Sequence, residues 1–254
     1  MAAPGPLDAG AGVIEHSPNQ GRAWRGTRIT ALLAERLAVP VALDDDARLG
    51  ALGEALLGAG RGADPLVYVT VSSGIGSGIV SGGRMLRGAH GLAGEVGHLV
   101  VDPDGPRCAC GRRGDVESYA GGAALARRAR RAWPSGRLAD GSAAPRDAAG
   151  IFRAARAGDP LARGIVAEAA EALGRGLAAL ATAIDPERIV VGGSLALSQG
   201  ALVRRAVAIA RRRCLAETGR RLVVVQSALG ETSVLAGAAL LAAELAGGAP
   251  PPGP

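Results

Sequence analysis

A chain of 254 residues, 48% hydrophobic and carrying a formal net charge of +6, is long enough for one large domain or two smaller ones. Aromatic residues make up only 2%, so the core has to be built from Leu, Val, Ile and Ala, and the arginine runs lack the interleaved rings on which single-stranded nucleic acid stacks. Three cysteines are too few for a disulfide framework, and the absence of a signal core or a bilayer-length apolar run leads to an expectation of cytoplasmic residence.

No lysine appears, and the arginines are spread out with runs at Arg127-Arg128, Arg130-Arg131, Arg204-Arg205 and Arg211-Arg212-Arg213. These read as solvated helix faces, so neither a membrane nor a nucleic acid is expected as a partner of this chain itself.

In chain order, Ala2 to Asp8 reads as the loop after a strand that the sequence does not supply, so the chain is expected to begin inside a domain. Val13-Ile14 is a short strand and Ser17-Pro18-Asn19 a turn. Thr27 to Leu37 has helical spacing through Ile29, Leu32, Leu33 and Leu37. Pro40 to Leu43 is expected to be a buried strand ending in Asp44-Asp45-Asp46, where three adjacent carboxylates repel one another unless a donor or cation lies nearby. Two readings stand there. One is a helix N-cap followed by acidic first-turn residues; the other is a ligand site at the carboxyl end of a strand.

The helix expected over Ala47 to Ala59 closes at Gly58, Gly60 and Gly62. Pro65 to Val71 is the clearest strand, apolar enough to be buried on both faces. Ser72-Ser73-Gly74-Ile75-Gly76-Ser77-Gly78 follows and then apolar Ile79-Val80. This is either a glycine-bulged hairpin or a turn whose amides approach an anion, and it fits neither the Walker nor the dinucleotide fingerprint.

Gly94-Glu95-Val96-Gly97-His98 and Cys108-Ala109-Cys110-Gly111-Arg112-Arg113-Gly114-Asp115-Val116-Glu117 hold the densest chemistry. A Cys-x-Cys with a histidine ten residues upstream can gather around one small cation, zinc first among them. The plainer alternative is a polar loop with two unrelated cysteines.

Further on, helices are expected over Tyr119 to Trp133, Ala148 to Ala157, Leu161 to Ile184, Leu202 to Cys214 and Val234 to Leu245, with Pro134 to Pro145 an exposed loop. The helix over Leu161 to Ile184 is expected to bury Ile165, Val166, Ala169, Leu173, Leu177 and Leu180 at helical spacing. Strands are expected at Arg188 to Val191, ending in Gly192-Gly193-Ser194, and at Leu222 to Val225. Cys214 is expected to be a packing residue. Alternating short apolar strands and helices argue a mostly parallel α/β sheet, and the last residues a disordered tail.

The Glu-x-Gly-His and Cys-x-Cys-Gly-x-x-Gly-x-x-Glu elements resemble the signature of the ROK family of bacterial sugar kinases and sugar-responsive repressors, with Asp115 where the family has a third cysteine. The resemblance extends from about Pro4 to about Leu245. It implies an α/β, two-lobed actin–hexokinase-like (ribonuclease H-like) architecture with an incomplete first lobe. Residues 1–62 would be the remainder of the N-terminal lobe, 63–247 the larger C-terminal lobe and 248–254 a disordered tail.

Leu43-Asp44-Asp45-Asp46-Ala47 is similar to the family's Glu-Asn-Asp-Ala, which implies Asp46 as the catalytic base and Asp45 in the place of a sugar-binding asparagine. Glu95, His98 and Glu117 match sugar-hydroxyl ligands. Ser73, Gly74 and Gly76 match the second phosphate loop, and Gly192 and Gly193 the adenosine-side pair. A structural zinc ion would be held by His98, Cys108, Cys110 and Asp115, since zinc accepts carboxylate oxygen.

ATP and Mg2+ are implied as co-substrate and cofactor, a hexose as substrate, and a homo-oligomer as the assembly. The family's Asp-x-Gly-Gly-Thr phosphate loop has no counterpart before Asp44, and a truncated chain is the expected reason. The function implied is transfer of the ATP γ-phosphate to a glucose-like hexose or N-acyl aminosugar. The alternatives are the sugar-sensing part of a ROK transcriptional regulator and a sugar-binding fragment without turnover.

Overall fold

The computed structural model describes residues 1–15, 24–138 and 140–247. The turn expected at Ser17-Pro18-Asn19 and the tail expected over 248–254 lie outside the described residues.

Near the amino terminus, β1 (Ala2–Ala3) pairs in parallel with β4 (Asp44–Asp45), while β2 (Leu7–Asp8) and β3 (Val13–Ile14) form an antiparallel pair. The strand expected at Pro40 to Leu43 is displaced to Asp44–Asp45, because the pairing with Ala2 and Ala3 starts only at Asp44. Helix α1 (Ile29–Leu37) forms where its periodicity predicts, yet none of its residues is buried. Amphipathic spacing established the helix, and its apolar face is only partly covered, with Ile29 packed against the small cluster of Ala3, Leu7, Ile14 and Leu43.

The main sheet has five strands in the order β7 (Arg84–Met85), β6 (Ile75–Ser81), β5 (Leu66–Val71), β8 (Arg188–Gly192), β9 (Val224–Gln226). It is mixed rather than mostly parallel. β5 pairs with β8, and β8 with β9, in parallel, but β5–β6 and β6–β7 are antiparallel. The reason is connection length: Ser72-Ser73-Gly74 is too short for anything except a hairpin, whereas a parallel return needs a long crossover. Central β5 is buried at five of its six residues, as its apolarity predicts.

α2 (Asp46–Leu57) lies on this sheet, with α10 (Ser233–Leu245) against its other side. A Cβ at Gly78 would stand 2.7 Å from Ala51 Cβ, and one at Gly76 2.9 Å from Ala47 Cβ. Alternate glycines put bare backbone on one face of β6, and α2 settles into that face. The opposite face of the sheet meets α6 (Pro160–Ile184), where Ile165, Ala169, Leu173, Leu177 and Leu180 are buried as their spacing predicts, while Val166 is only partly covered. α8 (Gly200–Arg213) packs in turn on α6 and keeps Arg211, Arg212 and Arg213 exposed. Cys214 is half-buried against the same core.

The helix expected over Tyr119 to Trp133 is two helices, α3 (Val116–Ala120) and α4 (Gly122–Ala132), broken at extended Gly121 (φ −67°, ψ 140°). α5 (Ala148–Ala157) matches its expected span, and two short helices, α7 (Ser194–Ser198) and α9 (Ala216–Arg221), were not legible as periodic segments.

The α2–α10 contact is closest at Gly237, where an added Cβ would sit 1.8 Å from the Leu49 carbonyl oxygen. Gly237→Ala must therefore push two helices apart. It is expected to lower the unfolding free energy by at least about 2 kcal/mol in urea titration, although alanine favours helices intrinsically.

Candidate functional site

The three aspartates end in three different environments. Asp44 is fully buried and salt-bridged to Arg48 and Arg87. Asp45 is the N-cap of α2: its Oδ1 accepts from the Ala47 and Arg48 amides at 3.0 and 3.3 Å, and its Oδ2 from the Gly5 amide at 3.2 Å. Asp46 is the first residue of α2 and is half-buried. The N-cap reading is thus realised by Asp45. Burial first, and the Asp45 carboxylate second, push the Asp46 carboxyl up to about 6. Burial also raises Asp45, partly offset by the Arg48 guanidinium.

Glu95 precedes a single 3-10 turn (Val96–His98) that seats Gly97 directly on β6, where an added Cβ would lie 2.1 Å from the Ile75 carbonyl oxygen. Its carboxyl is raised by desolvation and then by Asp45, with His98, Arg48 and Glu117 also within electrostatic reach. Glu117, on α3, accepts the Ile75 amide at 2.9 Å through Oε2. An added Cβ at Gly74 would meet that same oxygen at 2.6 Å, so glycine there lets the hairpin turn close on Glu117. Asp45, His98 and Glu117 all act electrostatically on Glu95, so the four groups gather between the start of α2 and the β5–β6 turn.

Behind this surface, His98 Nδ1 lies 3.0 Å from Asp115 Oδ2 and 3.8 Å from Cys108 Sγ, and Cys110 Sγ lies 3.6 Å from the same Asp115 oxygen. One ligand atom from each of the four residues falls within 4.8 Å of the others. Separations of this size fit a tetrahedral ion with bonds of about 2.0–2.3 Å, and the imidazole, two thiols and a carboxylate are a zinc donor set. With Nδ1 turned to that cluster, Nε2 is left to face the opposite way.

The Cys loop is held by backbone bonds from the Cys108 amide to Arg112 O at 2.8 Å and from Val101 to Gly114 O at 2.8 Å. Gly114 has φ +69°, and a Cβ there would fall 1.4 Å from Asp102 O, so only glycine closes the loop. Arg113 donates to the Gly105 carbonyl at 3.2 Å, which gives its guanidinium a partner outside the ligand set.

Asp115 has two duties. Its Oδ1 accepts the Ser118 amide at 2.8 Å, capping α3, while Oδ2 faces the cluster. Burial would raise its carboxyl, but the bonds from His98, Cys108 and Ser118 bring it down to about 2. The bond to Asp115 correspondingly raises the His98 imidazole to about 9, and burial pushes the Cys108 thiol up. Metal-free, the pocket is an imidazolium–carboxylate pair beside a neutral thiol. Zinc would have to displace protons from both sets of ligands, so its binding strengthens as pH rises.

The two glycine loops meet at the carboxyl ends of parallel β5 and β8. Ser72 and Ser194 hydroxyls are 2.9 Å apart. Gly193 (φ +88°) presses on β5 so closely that a Cβ would lie 2.5 Å from Val71 O. Ser73 is exposed on that rim, its carbonyl held by the Ala123 amide at 2.9 Å. Gly76, by contrast, lies inside β6 against α2. Sequence reasoning missed the roles of Asp44, Arg48 and Arg87; the available signal was an Asp–Arg pair at i,i+4 spanning the strand end and the first turn of the helix.

The ROK family model matches residues 1–245. A glucokinase of Thermotoga maritima is 38% identical over 201 residues, 77% of this chain and 63% of the relative's length. Among solved structures, the ROK hexokinase of Thermus thermophilus superposes with TM-score 0.84 at 38% identity, over 97% of this chain and 79% of that one. A ROK family glucokinase of Streptomyces griseus, solved in complex with glucose and AMPPNP, gives 0.77 at 33% identity, over 94% and 79%. A ROK family transcriptional regulator, a homologue of the E. coli MLC protein, gives 0.79 at 28% identity, over 94% and 60%. This chain thus spans less than two thirds of the T. maritima relative, and no helix among the described residues is long and apolar enough to cross a membrane.

Asp115→Ala should weaken zinc binding by at least tenfold in a chelator-competition titration and, metal-free, cost about 1 kcal/mol through the lost cap. Asp115→Cys separates the two duties: zinc retention should rise while the metal-free protein loses the same cap stability.

Proposed function

Because this chain belongs to the ROK family, we propose that it works as a sugar kinase, passing the ATP γ-phosphate to a hydroxyl of a glucose-like hexose or N-acyl aminosugar. The observation that carries this reading is the position of Asp46, at the first turn of α2 between Asp45 and the Ala47 that packs on Gly76, with its carboxyl poised near neutrality at about 6. A base of that strength is ionised at pH 7 and still able to take a proton from an attacking hydroxyl.

Glu95, Glu117, Asp45 and His98 Nε2 would fix the sugar by its hydroxyls. A site built to bond hydroxyl groups rejects analogues that lack them, because its own polar groups are then left unpaired. ATP would lie along Ser73, Gly74, Gly76, Gly192 and Gly193, where the converging loops bring backbone close to a phosphate chain. Mg2+, when bound with ATP, neutralises charge developing on the phosphates. Zinc, held by His98, Cys108, Cys110 and Asp115, would brace the loop from which His98 and Glu117 reach the sugar. The 3.0 Å His98–Asp115 contact and the backbone-closed Cys loop support that bracing role.

Asp46→Asn should reduce glucose-dependent ADP release by at least about 100-fold and, since the folded state disfavours the charged carboxylate, raise rather than lower the melting temperature. Retained turnover would remove Asp46 from the mechanism. Its raised pKa also fixes the pH dependence. The folded state binds this proton more tightly than the unfolded chain, so the Asp46 contribution to stability declines as pH rises from about 4 through about 6. Turnover rises over the same interval, and a kcat profile should therefore fall on the acid side near pH 6.

The second reading, a sugar-sensing part of a regulator, is supported by the likeness to the MLC homologue. Calorimetric sugar binding with no nucleotide turnover would select it, or a non-catalytic sugar-binding chain, over the kinase.

A further inference from the structure

Asp44 is a buried carboxylate with every lone pair engaged. Its Oδ1 accepts the Arg48 Nε at 2.7 Å and the Asp45 amide at 2.8 Å. Its Oδ2 accepts a forked pair from Arg87, Nε at 3.0 Å and the terminal nitrogen at 2.8 Å. Arg48 is itself buried and sends its other end to the Gly91 carbonyl at 2.7 Å. Arg48 belongs to α2; Arg87 and Gly91 belong to the segment that leaves β7 and leads into Glu95.

That segment, residues 86–94, is otherwise lightly held. It is anchored at its near end by the Leu86 amide donating to Ile79 O at 2.8 Å, closed on itself by the Ala93 amide donating to Arg87 O at 3.0 Å, and anchored at its far end where the Ser77 hydroxyl donates to Gly94 O. Residues 86–90 are all exposed, with Gly88, Gly91 and Gly94 at positive φ. Three glycines give such a segment many alternative paths. The two guanidinium contacts are what tie it to the Asp44–Asp46 strand and helix.

We infer that Arg87 is a positioning residue for sugar recognition: by gripping Asp44 it holds segment 86–94, and so the Glu95 carboxylate that follows it, at a set distance from Asp45 and Asp46. The charges are consistent with this role. Two guanidiniums against one carboxylate leave a surplus positive charge, and Asp45, Asp46 and Glu95 are the anions around it. Arg48 acts electrostatically on all three. The planar forked contact also fixes an orientation that a lysine ammonium cannot reproduce.

This inference rests on the sugar-binding reading of Glu95, and its test separates the two. D-glucose and N-acetylmannosamine are titrated calorimetrically into the full chain and into Arg87→Ala, Arg87→Lys and Arg84→Ala, with melting temperatures recorded for each. Arg87 is half-exposed, so its removal is less disruptive than that of Asp44. The expected result is a Kd at least tenfold weaker in Arg87→Ala, an intermediate loss in Arg87→Lys and none in the exposed Arg84→Ala. Hydrogen exchange should quicken at Gly88 to Gly94 in Arg87→Ala while β5 stays protected. A lowered melting temperature with unchanged Kd would make Arg87 a structural brace only and overturn the inference while leaving the sugar site intact. Wild-type chain that binds neither sugar would overturn the function reading itself, and the positioning role with it.

Discussion

The rest of the molecule depends on how closely α2 is gripped between the sheet and α10. Glycines make that closeness possible on both sides: Gly76 and Gly78 on β6, Gly53 on α2 and Gly237 on α10, where Cβ atoms would lie 1.8 to 2.9 Å from a neighbour. At such distances no side chain intervenes, and backbone meets backbone or an alanine methyl. A helix held this tightly delivers its first turn, Asp45 and Asp46, to a fixed place above the β5–β6 hairpin.

The far end of α2 is fixed by a different device. Glu54 is completely buried, and its carboxylate accepts the Ala59 amide at 2.8 Å, the Leu229 amide at 3.1 Å and hydroxyls of Ser227 and Ser233. Burial would raise such a carboxyl, but so many donors bring it below the ordinary range. Asp44 at one end and Glu54 at the other are buried carboxylates that join local donors to donors from segments distant in sequence. Each is stabilising only because its donors are complete; removing any one would leave a polar group desolvated and unmatched. α2 is thus positioned by packing along its length and by fully bonded carboxylates at its two ends.

The site shows the same economy in reverse, with single residues serving two neighbours. Asp115 caps α3 with one oxygen and faces the His–Cys cluster with the other. Glu117 accepts the Ile75 amide and lies under Gly74. Asp45 caps α2 while bonding Gly5 across the chain. Substitution of an asparagine-like position by Asp45 therefore keeps the acceptor that the cap requires. Asp115, where the family signature has a third cysteine, brings a carboxylate oxygen to the His–Cys cluster and satisfies a helix terminus as well.

Much of the local chemistry was legible along the chain. Periodicity located α1, α2, α5, α6, α8 and α10; the apolar run located β5; residue type and spacing located the His98–Cys108–Cys110 cluster, and the family signature added Asp115. These depend on short-range rules that a sequence states outright. Pairing and partnership were decided elsewhere. Whether β4 began at Pro40 or Asp44 depended on Ala2, whether the sheet was parallel depended on a three-residue turn, and the break at Gly121 depended on the Ser72–Ser73 turn lying beside it. Which of three adjacent aspartates became cap, buried anchor or candidate base was decided by Gly5, Arg87 and the desolvation around α2, none of them readable from the triplet. Sequence by itself determined the residue types that could do the chemistry. Tertiary structure decided their ionisation and their partners, because burial and long-range hydrogen bonds exist only once distant segments have met.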